Sequence, residues 1–308
     1  MSNMSKCDNR VPVLLLGYNR PELLIRRLKE LSLQEIGHLT ISIDGGGMTK
    51  LELENVVAQA SQLFHRSNFD FVVHSQNLGL CEHIVSAISN ALTSNPFVIV
   101  LEDDISVGHN FYRNMIAGIE LSRRIKGIAA VTSFTALGVS RLGFSSARWR
   151  QTRYFSCWGW AVSREAWEKY QLDLANIDIS KELSKSVTWE SLNSHQKSVW
   201  HGRFTRVKEN PSSTWDVQFQ FMCFRFDYKN LAPTRRFSSN QGFNDARGEH
   251  TIGRMPRWML LSKRYAGAIP AKQNIWVASM YEKIFDQNTI AGDSRFSAKM
   301  RNFKDKFF

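Results

Sequence analysis

Five consecutive apolar residues, Phe97-Val-Ile-Val-Leu101, run directly into three consecutive carboxylates, Glu102, Asp103 and Asp104. A continuous apolar run of strand length, without polar alternation, fits a strand covered on both faces, which implies a largely parallel sheet between layers of helices. Three adjoining carboxylates at the end of such a strand repel one another unless cations or hydrogen bonds compensate. In open α/β sheets, ligands bind beyond the carboxyl ends of the strands. The junction reads either as a site for a hard divalent cation, Mg²⁺ or Mn²⁺, or as a solvated loop or helix-capping cluster before Phe111. Its place directly after Val-Ile-Val-Leu favours the cation.

The residues before this junction alternate strand-like and helix-like segments, as expected of an α/β sheet with helices on both faces. Val11-Pro-Val-Leu-Leu-Leu16 reads as a buried strand. Asn19 is expected to cap the next helix, with Glu22 as its capping-box partner, Pro21 in the first turn and Leu24, Leu28 and Leu31 as the apolar stripe. Leu39 to Ile43 predicts a second strand ending in Asp44-Gly-Gly-Gly47, where the glycines permit a tight turn and close approach of a ligand. Leu51 to Phe64 predicts a helix and Phe69 to Val73 a third strand. Leu80, Ile84, Ala87, Ala91 and Leu92 are spaced as a helix that Pro96 stops. The loops beginning at Gly17, Asp44, Asn77 and Glu102 are expected on one edge of the sheet.

Beyond residue 133 the sequence turns aromatic and irregular, with Trp158, Trp160, Trp167, Trp189, Trp200 and Trp215 among the markers and no linker or repeat. The expected organisation is a ligand-binding half over 1–133, a continuous second half over 134–270 and a basic helical tail over 271–308.

A net charge of +12 implies attraction to something anionic. The basic residues are spread along the chain and carry no nucleic-acid-binding signature, so no nucleic-acid partner is expected. Cys7, Cys81, Cys157 and Cys223 fit neither a zinc site nor a disulfide framework, which points to a reducing, cytoplasmic compartment. The polar N-terminus reads as leaderless, and no stretch has the length of a membrane span. The tail from Ser297 to Phe308 interleaves cations with aromatics, which fits either peripheral contact with an anionic membrane or a solvated terminus.

Taken in order, Gly17-Tyr-Asn-Arg-Pro21, Ile43-Asp44-Gly, Asn77-Leu-Gly79 and Val98-Ile-Val-Leu-Glu-Asp-Asp104 resemble the nucleotide-sugar half of GT-A glycosyltransferases. The likeness is greatest to bacterial enzymes of the family-2 type and to the N-acetylglucosaminyltransferase that starts hybrid N-glycans, and it extends in outline from Val11 to His250. It implies a Rossmann-like α/β fold with a mixed, mainly parallel sheet flanked by helices, continuous with an aromatic-rich acceptor-binding half. It also implies that Tyr18, Asn19, Arg20 and Asp44 hold the nucleobase, usually uracil, whose edge needs a donor and an acceptor that Arg20 and Asp44 can supply. By the same resemblance His83 touches the phosphate or nucleoside, Glu102 and Asp103 face the ribose and metal-bound water, and Asp104 binds the metal. Plainer roles stand beside these: Asn19 as a cap, Asp44 as the closure of a glycine turn, His83 as a satisfied surface histidine.

Downstream, Tyr154-Phe-Ser-Cys-Trp-Gly-Trp-Ala-Val-Ser-Arg-Glu-Ala-Trp167 resembles the segment that meets the donor sugar. There Gly159 is expected to leave room for the sugar, and Trp158 or Trp160 either stacks on a pyranose or belongs to the core. Ser213-Thr-Trp-Asp-Val-Gln-Phe219 matches the family's catalytic base at Asp216, in the first turn of a helix capped by Ser213 or Thr214. The plainer role for Asp216 is complementing the helix dipole, and Asp245 and Glu209 are alternative bases. Ser238 to Thr251 resembles the late loop that returns a histidine, here His250, to the metal or diphosphate, with Arg247 near the diphosphate.

The resemblance thus implies metal-dependent, inverting transfer from a UDP-sugar to a glycan or lipid-linked glycan, as in bacterial surface polysaccharide assembly. One rival is a non-catalytic glycan- or membrane-surface-binding protein on a degenerate transferase scaffold. Another is a sugar-nucleotide pyrophosphorylase, whose glycine-rich basic loop after the first strand is absent from Gly17-Tyr-Asn-Arg-Pro21.

Overall fold

A computed structural model describes residues 11–65, 68–135, 149–243, 247 and 275–276. Its centre is the strand β1 (Val13–Gly17), every residue of which is buried. Side chains alternate across a strand, so Val13 and Leu15 enter one core while Leu14 and Leu16 enter another. The first core is closed by α1 (Pro21–Ser32) and α2 (Lys50–Leu63) through Leu24, Leu28, Leu31, Val56 and Ala60. The second is closed by α3 (Leu80–Ser94) through Ile84, Ile88 and Leu92, while α4 (Phe111–Ser122) adds Phe111, Met115 and Ile119 to the first core and the single turn α5 (Arg164–Trp167) adds Ala166 and Trp167 to the second. Burial on both faces is what the uninterrupted apolar runs require.

β2 (Leu39–Ile43) and β3 (Phe69–Val73) extend the sheet in parallel on one side of β1, and β4 (Phe97–Glu102) pairs with β1 in parallel on the other. The chain order therefore reverses between β1 and β4. Such a switch point splays the following loops apart and leaves a crevice.

From Ile128 onward the chain adds five strands to the same sheet: β6 (Ile128–Thr132), β7 (Trp149–Thr152), β8 (Trp160–Ser163), β9 (Lys229–Pro233) and β11 (Ile275–Trp276). β8 lies antiparallel between β4 and β6. Five of the eight pairings in this sheet are parallel, so it is mixed and mainly parallel, with helices flanking it, as expected. A separate ribbon pairs β5 (Ile105–Val107) with β10 (Ser238–Asn240), which brings the late loop to the carboxylates.

The stretch that reads as irregular is more ordered than its sequence indicates. Helices α6 (Ile179–Leu183), α7 (Val187–Glu190), α8 (Ser194–Glu209) and α9 (Asp216–Arg225) enclose a third core in which Tyr154, Trp189, Trp200, Phe204, Phe221 and Phe224 meet. The capping assignment for α1 is corrected. Its N-cap is Arg20, which makes no side-chain capping bond, and Asn19 instead donates from Nδ2 to the Arg247 carbonyl at 3.4 Å. Pro21 begins the helix one residue later than an Asn19 cap requires, and Arg20 directs its guanidinium elsewhere.

Candidate active site

That guanidinium reaches the carboxylates after β4. Arg20 Nη2 lies 2.5 Å from Asp103 Oδ1 and Nη1 lies 3.3 Å from Asp104 Oδ2, joining the end of β1 to the end of β4. Burial pushes Asp103 up to about 7 against the pull of Arg20, with Asp104 adding repulsion. Burial likewise raises Asp104, opposed by Arg20 and by the buried Arg27. Glu102 is held well above the ordinary carboxylate range by burial and then by the charges of Asp104, Asp103 and Asp216. Arg20 and Arg27 thus oppose, without overcoming, the cost of crowding these carboxyl groups in a buried place.

Beside this cluster a cleft of about 140 Å³ is lined by Tyr18, Arg20, Asp44, His83, Glu102 and Asp103, together with Asn77, Gly79 and apolar neighbours. Six of the residues expected to bind the nucleotide-sugar therefore share one cleft over the carboxyl ends of β1, β2 and β4. Asp44 is buried there and organises the loop after β3: its Oδ1 accepts from Gly45 N at 2.9 Å and Leu78 N at 2.8 Å, and its Oδ2 from Gly79 N at 3.0 Å. Its turn-closing role is met, and it also lines the cleft. Gly45 and Gly47 make room for the protein itself, since a Cβ on either would lie within 2.6 Å of Gln76 or Tyr18 atoms.

His83 is buried rather than a surface histidine. Its Nε2 lies 2.8 Å from Ser42 Oγ, and its ring meets that of His74 edge-on with centroids 5.3 Å apart. Burial pulls it down to about 4, His74 adds to the drop and Asp44 opposes it. His83 is therefore neutral near pH 7 and offers the cleft a hydrogen bond rather than a charge.

Asp216 is the first residue of α9, whose N-cap is Trp215; neither Ser213 nor Thr214 caps the helix. The Thr214 hydroxyl instead donates to Asp216 Oδ1. The charge of Asp216 raises Glu102 and, after the effect of burial, Cys81 and Cys157, so its carboxylate belongs to the same electrostatic site as the end of β4. Cys81 Sγ donates to the Ser212 carbonyl at 3.3 Å, which fastens the turn before Asp216 to the start of α3.

Two readings of the Tyr154–Trp167 segment are corrected. Gly159 has φ +79, and a Cβ there would stand 2.6 Å from Ser133 Oγ and 3.2 Å from Leu101 Cδ2. The space it leaves is already filled by the protein. Trp160 is buried in the second core, stacked on Trp215 with centroids 5.3 Å apart and edge-on to Phe155 and Phe219. No face is left for a sugar. Trp158 is half-buried, against Phe134 and Phe243.

Arg247 donates to the Asn19 carbonyl at 2.9 Å and pairs with Glu52 at 3.5 Å, so it ties the late loop to the region of α1 and α2. Glu209 is exposed at the end of α8. His250, Asp245 and Cys7 lie outside the described residues, as does the tail over 271–308 except Ile275–Trp276, which pair with β7 as strand β11 rather than forming the expected helix.

Sequence reasoning missed the supports. Arg27 donates to Glu30 and to Gln241 Oε1, both at 3.1 Å, while the Gln241 amide donates to the Asp104 carbonyl at 2.7 Å. A buried arginine on the apolar face of α1 was the available signal.

The donor set suits a hard cation in kind, being carboxylate oxygens in excess of compensating charge. Among the described residues no three His, Cys, Asp or Glu side chains converge as a cage. A cation held by these carboxylates would need further ligands from outside them, as Mg²⁺ and Mn²⁺ sites commonly do. Among the described residues no helix is long and apolar enough to cross a membrane.

No protein-family model and no curated protein matches the chain. Its structure is similar to that of the galactosyltransferase LgtC in complex with donor and acceptor sugar analogues, at 10% identity, 70% coverage of each chain and a TM-score of 0.34. It is similar to the 4-diphosphocytidyl-2C-methyl-D-erythritol synthase of Anaerococcus prevotii, at 11% identity over 53% of this chain and 75% of that one, TM-score 0.34. It is also similar to the glycosyltransferase GlyE of Streptococcus pneumoniae, at 11% identity over 71% of this chain and 45% of that one, TM-score 0.34. Likenesses of this degree assign neither family nor activity.

Proposed function

We propose that the protein is a GT-A glycosyltransferase that moves a hexosyl or N-acetylhexosaminyl group from a UDP-sugar to a hydroxyl of a glycan or lipid-linked glycan. The observation that carries the reading is the shared cleft of Tyr18, Arg20, Asp44, His83, Glu102 and Asp103 at the strand ends, with Asp216 in its electrostatic field. The cleft receives the nucleoside, with Arg20, Asp44 and neutral His83 presenting hydrogen-bonding groups to it.

Asp104 would hold Mn²⁺ or Mg²⁺, with His250 as a second candidate ligand. A divalent cation bound there offsets the negative charge of the departing diphosphate. Asp216 takes the proton of the acceptor hydroxyl as that oxygen bonds to the anomeric carbon and the bond to the diphosphate breaks. Attack opposite the leaving group inverts the configuration. Bacterial surface polysaccharide assembly, in the cytoplasm or against the inner membrane face, is the setting this chemistry fits.

Thermal unfolding with UDP, GDP, ADP and CDP, with and without Mn²⁺, tests the donor site, because selective binding to the folded state raises apparent stability. A Mn²⁺-dependent shift with UDP that is lost in Asp104→Ala is expected. A shift with another nucleotide reassigns the base, and none with any of them favours the non-catalytic surface-binding protein. Transfer by Asp216→Asn should fall by about 10²-fold or more, with UDP binding retained.

A further inference from the structure

A second cavity, of about 510 Å³, opens between the end of α8 and the start of α9. Resting on the transferase reading above, we propose that this cavity docks the acceptor, and that the acceptor carries a phosphate or carboxylate group which Arg203 and Arg206 bind.

The cavity lies beside the proposed base. Thr214, whose hydroxyl donates to Asp216, is part of its lining, and Arg203 lies within reach of the Asp216 charge. An acceptor seated there presents a hydroxyl to Asp216 from the side of α8.

Its charge is the second observation. Two guanidinium groups, Arg203 and Arg206, face one lining carboxylate, Glu209, and neither arginine forms an ion pair among the described residues. Arg203 is half-buried and lies over the Trp200 ring, 4.8 Å from its centroid. Burial acts against its charge. Asp216 opposes that effect from a distance, and a partly desolvated cation with no ion-pair partner among the described residues gains from an anion that restores charge-assisted hydrogen bonds. Planar guanidinium forks match the paired oxygens of carboxylate and phosphate, and Asn210 and Ser213 add polar groups at the rim.

The test is ligand-observed NMR titration of the full-length protein, saturated with UDP and Mn²⁺, with methyl glucuronide, glucose 6-phosphate and neutral methyl glucoside. At least one of the two anionic sugars should bind about tenfold or more tightly than the neutral one, and which does so separates carboxylate from phosphate recognition. Arg203→Gln/Arg206→Gln should lose that preference while keeping the UDP shift. Exposed Arg206 is also replaced alone, so that a double variant which fails to fold leaves a readable result: the single variant should lose part of the preference. Equal binding of neutral and anionic sugars, or a preference unchanged in the variants, overturns the proposal while UDP binding leaves the donor reading intact. Failure of UDP to bind strikes the donor reading instead.

Discussion

At Gly159 a left-handed backbone and a crowded Cβ position coincide, with Ser133 Oγ donating to the Gly159 carbonyl at 2.7 Å. Gly159→Ala therefore combines backbone strain with overpacking and should cost about 2–4 kcal/mol in denaturant unfolding. His83 gives a residue-scale pH effect. Its folded-state value of about 4 lies below the ordinary 6.5, so the unfolded chain binds the extra proton between these limits. The stability held above pH 6.5 is then lost as pH falls toward 4, by about 3 kcal/mol at most. His83→Gln should flatten the stability profile in that window when unfolding is followed at successive pH values.

At the scale of elements, α1 acts as the brace of the site. Glu30 accepts from Val107 N at 2.7 Å, from Ser106 Oγ at 3.2 Å and from Arg27, so one carboxylate pins β5, the strand directly after Asp104. Glu30→Ala should destabilise the protein by about 2–3 kcal/mol and weaken the Mn²⁺-dependent UDP shift, both readable in one thermal-unfolding series. The elements up to β4 were legible because their apolar periods are regular and their partners near in sequence. Tyr18, Arg20, Asp44, His83, Glu102 and Asp103 were named together through the family resemblance, and topology gathers them because they lie at or just beyond strand ends or, for His83, in the first turn of α3. Gly159 and Trp160 were misread because their surroundings come from Ser133, Leu101, Trp215 and Phe219, and no local pattern announces such neighbours. The strands after β5 were missed because they are short and set among aromatic residues whose spacing follows the third core.

For the whole molecule, the decisive join is β8 between β4 and β6, since it welds the strand that bears the carboxylates to the later half. A fragment ending at residue 133 leaves β4 without this neighbour, and an unpaired apolar edge invites association. Such a fragment should aggregate or lack a cooperative transition in thermal unfolding, whereas the full chain unfolds cooperatively. The same join also sets an order in time. During synthesis β4 leaves the ribosome well before β8 exists, and at about 5–20 residues per second the interval lasts several seconds. Throughout it the acidic edge has one flank, and β4 gains its second neighbour only when more than half of the chain has been made.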